Sequence, residues 1–279
     1  MYICLTGAKK NLGDFLITDR ALKLLKKHKP DEEFEVLPHW QEFSVSQLEK
    51  INSSKGIIIL GGPGYRREMY PGIYKLFADL DKIKVPIIPL GLGWKSFPGD
   101  MLDLKGYRFS GDSLRLLNRM KECVGPLSCR DPLTATVLEK NGFPALMTGC
   151  PAWYRPEGLP DSFLPPAEIN SIAFTPPQLS VYHEQSAELL LQLSRIFPNA
   201  KFQISFHRGL SADEFTTETE ADTARALADK LRALSPDRIS IHDTSYDLDN
   251  IAFYSDCDLH VGYRVHAHIH FLSRLAPSI

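Results

Sequence analysis

The sequence predicts an α/β protein of two doubly wound parallel-sheet domains that face a cleft. Short apolar runs alternate with amphipathic stretches along the whole chain, as expected for parallel strands joined by crossover helices. A proline-rich passage, 151–166, cannot continue a helix or a central strand and divides the chain into halves. We therefore place the first domain at 1–150, a linker at 151–169 and the second domain at 170–279.

The individual elements follow from apolar runs and from helical spacing. In the first half, five runs are candidate strands: 2–6, 34–37, 56–60, 86–90 and 126–129. Apolar residues that recur every three or four positions, with charges opposite, predict helices between them. One such face has Ile17, Ala21, Leu24 and Leu25, and another has Leu114, Leu117 and Met120. The second half repeats the rhythm, with strands at 171–174, 201–206, 238–241 and 258–262 and helices at 183–197 and 218–234.

Composition limits the kinds of partner. The net charge of −2 gives no general attraction to nucleic acid or anionic lipid, so an anion site must be local. The five cysteines are odd in number and form no CxxC pair, which favours reduced thiols over disulfides or a metal cluster. No run resembles a signal peptide, and none approaches the roughly 18 uninterrupted apolar residues of a membrane span. We expect a cytoplasmic protein.

Several loops that follow predicted strands carry glycine or polar residues. Asn11, Gly13 and Asp14 precede the first helix, whose unpaired amides suit an anion, although Asp14 also has the form of a simple helix cap. Glycine turns follow the third and fourth strands: Gly61 with Gly62, and Gly91 with Gly93. Such turns allow a ligand close to the backbone, or they are tight connections only. Neither completes a GxGxxG or Walker motif.

An arginine ends the fifth predicted strand, at Arg130. The next residues, Asp131 and Pro132, suit the start of a helix, whereas Arg130 has no evident local role. A guanidinium at a cleft edge is a good bidentate partner for carboxylate or phosphate. The alternative is a salt bridge to an acidic residue of the other domain.

The end of the chain concentrates histidines around an arginine. Gly262 ends the last strand and is followed by Arg264, His266, His268 and His270. If a helix begins near residue 265, His266 and His270 share a face, while His268 points roughly 200° away. The three rings therefore cannot meet one metal, and no HExxH pattern is present. A two-histidine zinc site would still need a third ligand and an open position. The alternatives are metal binding, a structural role, or acid/base and anion-binding chemistry at His266.

Taken in order, these segments resemble the polysaccharide pyruvyltransferase family. The matching stretches are NLGDFLITDRALKLL (11–25), LGGPG (60–64), PLGLG (89–93), SCRDPLTATVLEKNG (128–142) and DLHVGYRVHAHI (258–269). The resemblance implies a glycosyltransferase-B-like (GT-B-like) pair of Rossmann-like domains, with the acceptor on the first and the donor on the second. It also implies a transferase that uses phosphoenolpyruvate, needs no metal or other cofactor, and makes a pyruvate ketal on a cell-surface glycan or its lipid-linked precursor. A lipid-linked acceptor would bring the protein to the membrane surface.

The resemblance also assigns residues. Arg264 and His266 match the family's RxH motif and Arg130 its RD motif, which makes these three the catalytic set, with the arginines on the donor's anionic groups and His266 in proton transfer. The glycines on the donor side are Gly262, Gly91 and Gly93. The acceptor side has Asn11, Gly13, Asp14, Gly61 and Gly62.

Two features depart from the family pattern. Cys150 stands where an acidic residue is usual, and the chain ends at 275–279 where the pattern enters another strand. Either a C-terminal portion of the second domain is missing, or this member ends early, which would favour a binding protein without turnover. The alternatives are a GT-B glycosyltransferase that uses a nucleotide sugar, and a catalytically silent glycan-binding protein.

Overall fold

The protein is a mixed α/β chain that divides into two compact units. The structure, a computed structural model, describes residues 1–95, 104, 106–155, 157, 162–163 and 165–279. One unit comprises Met1–Gly7 and Ile17–Pro156, and the other Ala8–Leu16 and Glu157–Ile279. The segment Ala8–Leu16, which the sequence placed in the first domain, thus groups with the second unit. Residues 156, 158–161 and 164 of the expected linker lie outside the described residues.

The first unit contains a four-stranded parallel sheet in the order β2-β1-β3-β4. Its strands are β1 (Tyr2–Thr6), β2 (Phe34–Pro38), β3 (Ile57–Leu60) and β4 (Ile87–Leu90). A parallel pair follows, β5 (Leu127–Cys129) and β6 (Ala145–Met147), and a bridge between Leu92 and Cys129 connects β5 to the segment after β4. The strand order reverses between β1 and β3, so the loops after these strands are the expected ligand edge.

Polar caps define the helices of the first unit. The helices are α1 (Leu12–His28, in this unit from Ile17), α2 (Val45–Ser53), α3 (Gly111–Val124) and α4 (Pro132–Lys140). Ser44, Ser110 and Asp131 accept hydrogen bonds from amides in the first turns of α2, α3 and α4. These side chains satisfy donors that a helix start otherwise leaves unpaired.

The second unit has a parallel sheet in the order β10-β7-β8-β9. Its strands are β7 (Ser171–Thr175), β8 (Lys201–Phe206), β9 (Ile239–Asp243) and β10 (Leu259–Gly262), and its helices are α5 (His183–Ile196), α6 (Glu218–Leu234) and α7 (Val265–Leu272). The reversal lies between β7 and β10. The chain beyond α7 returns alongside β10, where the amide of His260 donates to the Pro277 carbonyl at 3.0 Å.

Each sheet has its own buried apolar cluster. The first unit's cluster includes Ile3, Ile57 and Ile59, and the second unit's cluster includes Phe174, Phe202 and Ile204. The nine predicted strands are found with ends within two residues of the expected ones. The structure adds β6 and α2, whose short apolar segments the strand and helix patterns did not reveal.

Candidate active site

The junction between β10 and α7 delivers Arg264 to the reversal point of the second sheet. Thr175, the last residue of β7, accepts a hydrogen bond at Oγ1 from the Arg264 amide at 3.3 Å. The same oxygen lies 2.9 Å from Nε2 of His260. A helix, α7, then begins at Val265, which is the condition under which His266 and His270 share a face. Arg264 and His266 therefore follow the carboxyl end of the strand, where parallel sheets bind ligands.

The guanidinium of Arg264 is a partly buried cation. Its Nη2 donates to Oδ1 of Asn11 at 2.9 Å, and its Nη1 lies 3.5 Å from Oε1 of Gln178. Burial, followed by the charge of Arg208, lowers the pKa of Arg264 to about 10, so the group stays protonated near neutral pH. Within the described part of the chain, Arg264 forms no ion pair with a carboxylate. Among the described residues, its side-chain hydrogen-bond partners are amide oxygens, and the charge of Asp14 also acts on it.

The imidazole of His266 packs against Gly13 in the first turn of α1. A Cβ added to Gly13 would lie only 2.3 Å from Nδ1 of His266. Glycine is therefore required for this close approach. Asn11 also donates from Nδ2 to Oδ2 of Asp14 at 3.1 Å. The structure thus brings together Asn11, Gly13, Arg264 and His266 within the second unit.

A second chain of contacts fixes the other histidines. Oγ of Ser278 lies 2.6 Å from Nδ1 of His260 and 2.7 Å from Nδ1 of His268. His268 is therefore engaged away from His266, as helical spacing indicated. Burial, followed by the charges of His268 and His270, lowers the pKa of His260 to about 3, so its ring is neutral near pH 7. Across the residues that the structure describes, no three His, Cys, Asp or Glu side chains are arranged to hold a metal ion.

A cavity of about 280 Å³ opens at the carboxyl ends of β7 and β8. Arg264 lines it together with Gln178, His207, Arg208, Thr216 and Glu220. Nη2 of Arg208 donates to the Phe215 carbonyl at 2.9 Å. Burial lowers the pKa of His207 well below its ordinary value, and its Nε2 lies 2.9 Å from the Tyr254 hydroxyl. The positive charge on the cavity wall is therefore supplied mainly by the two guanidinium groups, and the Glu220 carboxylate also lines the cavity.

Arg130 lies at the carboxyl edge of the first unit's sheet and pairs locally. Its Nε is 3.3 Å from Oδ2 of Asp131, the N-cap of α4. The expectation that Arg130 lacked a local role is wrong, because the cap carboxylate also faces its guanidinium. A Cβ on Gly93 would lie 2.0 Å from Nε of Arg130, so glycine is required where this side chain crosses the backbone.

The predicted glycine turns gather at the same edge of the first sheet. The amide of Gly93 donates to the Gly62 carbonyl at 2.8 Å, and that of Gly61 donates to the Leu90 carbonyl at 2.8 Å. Ser128 on β5 accepts from the Gly91 amide at 2.7 Å. On the second sheet, Gly262 ends β10 beside Thr175. Gly61, Gly62, Gly91 and Gly93 therefore follow strands at a carboxyl edge, whereas Gly262 is the last residue of its strand.

With this geometry in view, comparison with known proteins is informative. A family model described as polysaccharide pyruvyl transferase matches residues 11–272. The chain belongs to the polysaccharide pyruvyl transferase family. It is therefore a transferase, as the resemblance of its motifs implied.

Other comparisons are less specific than the family match. No curated protein matches the chain. Among solved structures, a functionally uncharacterized protein from Klebsiella pneumoniae subsp. pneumoniae aligns with 12% identity over 91% of this chain and 87% of that chain, with a TM-score of 0.38. In the described part of the chain, no helix has the length and apolar character to cross a membrane.

Sequence reasoning missed two polar residues that line the cavity of the second unit. Gln178 follows β7 and Arg208 follows β8, and both line the cavity. The available signal was the one that singled out Arg130, a charged or polar residue directly after a strand. In particular, the stretch Ser205-Phe206-His207-Arg208-Gly209 has an arginine and a glycine at a strand end.

Proposed function

We propose that the protein transfers a pyruvyl group from phosphoenolpyruvate to a sugar of a cell-surface polysaccharide or its lipid-linked precursor. The product is a cyclic pyruvate ketal. The observation that carries this proposal is the Arg264 guanidinium. Its side-chain hydrogen-bond partners among the described residues are amide oxygens, and it lies two residues before His266. The reaction needs a cation for the donor's carboxylate or phosphate and a group that moves protons. Arg264 and His266 supply these two requirements at one sheet edge.

The reaction joins two acceptor hydroxyls to the enol carbon of the donor. The first hydroxyl adds to that carbon while the methylene carbon gains a proton and becomes a methyl group. The second hydroxyl then replaces the phosphate, and its proton leaves with the phosphate. We assign the proton transfers to His266, because neutral imidazole accepts a proton and its cation returns one near neutral pH.

Arg130 and the glycine turns belong to the same proposal. As the family resemblance implies, we assign Arg130 to the donor's anionic groups and Gly61 and Gly62 to the acceptor side. The finer architecture that we propose is a GT-B-like pair of Rossmann-like domains. A lipid-linked acceptor would place this reaction at the cytoplasmic face of a membrane, although the donor chemistry is the same for a soluble acceptor.

The first prediction separates donor binding from proton transfer. We expect His266→Gln to bind phosphoenolpyruvate with nearly unchanged affinity but to lose acceptor-dependent phosphate release by at least about 10²-fold, as typical for loss of a general acid/base. Arg264→Gln should weaken donor binding about tenfold or more, because a charge-assisted contact is lost. Calorimetry gives the donor affinity, and a panel of hexose and N-acetylhexosamine glycosides tests phosphate release.

The control is His28→Gln, which alters an exposed histidine at the end of α1. Undiminished turnover by His266→Gln would remove this residue from proton transfer. Thermal stabilisation of the unmodified protein by a nucleotide sugar, with none by phosphoenolpyruvate, would instead favour a glycosyltransferase. A bound ligand at about 100 times its Kd adds roughly 2.7 kcal/mol, which such a measurement detects.

A further inference from the structure

We propose that the cavity of the second unit is the donor site, and that Arg208 binds the donor's phosphate while Arg264 binds its carboxylate. This inference rests on the proposed pyruvyl transfer and adds a residue that none of the sequence motifs contains. The ligand class is a small acid with a carboxylate and a phosphate on neighbouring atoms. The cavity itself, and not only the RxH segment, then determines which donor is accepted.

The position of the cavity supports a ligand site. Its walls come from the segments that directly follow β7 and β8, from the first turns of α6, and from Arg264 after β10. These are the carboxyl ends of three strands of one parallel sheet, on both sides of the point where the strand order reverses. Open parallel sheets bind their ligands at this place.

The charges on the cavity wall call for an anion with two charged groups. Arg208 donates to a backbone carbonyl and Arg264 to side-chain amides, so all of their hydrogen-bond acceptors are neutral. Within the described residues, neither guanidinium has a carboxylate partner. The acidic group in the lining, Glu220, is instead hydrogen-bonded to the amide and hydroxyl of Thr217 at the start of α6. The charge of Arg208 contributes to lowering the pKa of Arg264, so the two cations repel each other, and a bound anion would relieve that repulsion.

One segment of the chain positions both cations. The Lys10 ammonium, only 2% exposed, donates to the Ser211 carbonyl at 2.6 Å and to Oδ2 of Asp213 at 2.7 Å. The Tyr246 hydroxyl donates to the same carboxylate oxygen at 2.6 Å. These contacts secure the loop that begins with Arg208. Asn11, the residue after Lys10, accepts a hydrogen bond from Arg264. The two guanidinium groups are therefore held in place before a ligand arrives, which lowers the entropy lost on binding.

The structure of the donor indicates which of its two anionic groups each arginine binds. The carboxylate is attached directly to the reacting carbon, whereas the phosphorus is one oxygen further away. Arg264, two residues from His266, therefore suits the carboxylate. Arg208 suits the phosphate, because its end of the cavity adds hydroxyl donors for further phosphate oxygens. Thr216 lines this end of the cavity and directly follows Phe215, whose carbonyl accepts from Arg208. The buried hydroxyl of Thr216 makes no hydrogen bond within the described residues.

The test replaces each of the two arginines in turn. It then measures how each variant binds two fragments of the donor, one with the phosphate group and one with the carboxylate group. Competition against phosphoenolpyruvate binding is measured by calorimetry, with inorganic phosphate and with pyruvate as separate competitors. Arg208→Gln should weaken phosphate at least tenfold and leave pyruvate within about twofold. Arg264→Gln should weaken pyruvate binding at least tenfold and leave phosphate binding within about twofold. Both variants should weaken phosphoenolpyruvate binding at least tenfold. Arg208→Lys keeps the charge but not the bidentate fork, so its phosphate affinity should lie between that of Arg208→Gln and that of the unmodified protein.

Arg225→Gln is the matched control. This arginine donates to the Leu210 carbonyl and pairs with Asp222, and it does not line the cavity, so all three affinities should be unchanged. Unaltered phosphate and phosphoenolpyruvate affinities in Arg208→Gln would overturn the assignment while leaving the proposed reaction intact. If the unmodified protein does not bind phosphoenolpyruvate, the proposed reaction itself fails. Arg208→Lys provides the same comparison if the glutamine variant does not fold.

Discussion

At the scale of single residues, the contact between Gly13 and His266 tightly constrains the site. The first turn of α1 reaches the imidazole only because residue 13 has no side chain. Asn11, two residues earlier, holds Arg264. A short stretch of backbone thus sets the positions of both the proposed proton carrier and the proposed carboxylate ligand.

We therefore predict that Gly13→Ala displaces the His266 ring and lowers turnover. A shift of about 1 Å in a reacting group costs about a hundredfold in rate, so kcat should fall by that order while donor affinity changes less. Steady-state phosphate release and calorimetric donor binding measure the two effects. Gly111→Ala is the control, because a Cβ there meets no atom within 4 Å. Equal kcat values for the two variants would contradict the role of the close approach.

A second prediction at this scale concerns His260. Its ring is neutral when the protein is folded, because burial, together with the charges of His268 and His270, lowers its pKa to about 3. The unfolded chain takes up a proton near pH 6.5 that the folded chain does not, so stability decreases as pH falls from about 6.5 toward 3. The slope from one such group is at most about 1.4 kcal/mol per pH unit, and above pH 6.5 it vanishes.

Urea unfolding between pH 5 and 7.5 measures this slope. We expect His260→Asn to flatten it, and the exposed His28→Gln to leave it unchanged. The remaining slope includes His207, whose pKa burial also lowers. A His260 variant with the slope of the unmodified protein would show that the ring does not remain neutral in the folded state.

At the scale of elements, parallel strands were predictable because their apolar runs are continuous. The residues 57–60 read Ile-Ile-Ile-Leu and are all buried, as expected for a strand covered on both faces. Strand β6 is different, since two of its three residues, Leu146 and Met147, are exposed, so no apolar period marks it. Helix α2 begins at a Ser44 capping box, a signal that was present in the sequence but not used.

Only part of the candidate site could be predicted from the sequence. Motif resemblance singled out Arg264 and His266, and helical spacing correctly separated His268 from them. The grouping of Asn11 and Gly13 with Arg264 was not predictable, because it depends on how α1 begins in one unit and continues in the other. The loop with Arg208 was missed for a related reason: it is held by Lys10, about 200 residues earlier in the chain, and a contact so distant leaves no local pattern.

At the scale of the whole molecule, the two units have separate cores. The buried cluster around β1 and β3 belongs to the first unit, and that around β7 and β8 to the second. Each unit exceeds about 100 residues, a usual size for a domain with its own core. Two-state unfolding is therefore not expected of the chain as a whole. The three tryptophans, Trp40, Trp94 and Trp153, all lie in the first unit, so their fluorescence reports that unit alone.

This distribution allows a matched pair of core substitutions to be followed separately. Ile59 on β3 is 1% exposed and Ile204 on β8 is fully buried, and truncation of either to alanine should cost about 2–5 kcal/mol in its own unit. We expect Ile59→Ala to lower the unfolding midpoint seen by tryptophan fluorescence. Ile204→Ala should leave that midpoint unchanged and lower a transition seen by far-ultraviolet circular dichroism, which follows the helices and strands of both units. If each substitution moved both signals by the same amount, the chain would unfold as one cooperative body, and the separate cores would not act as separate units of stability.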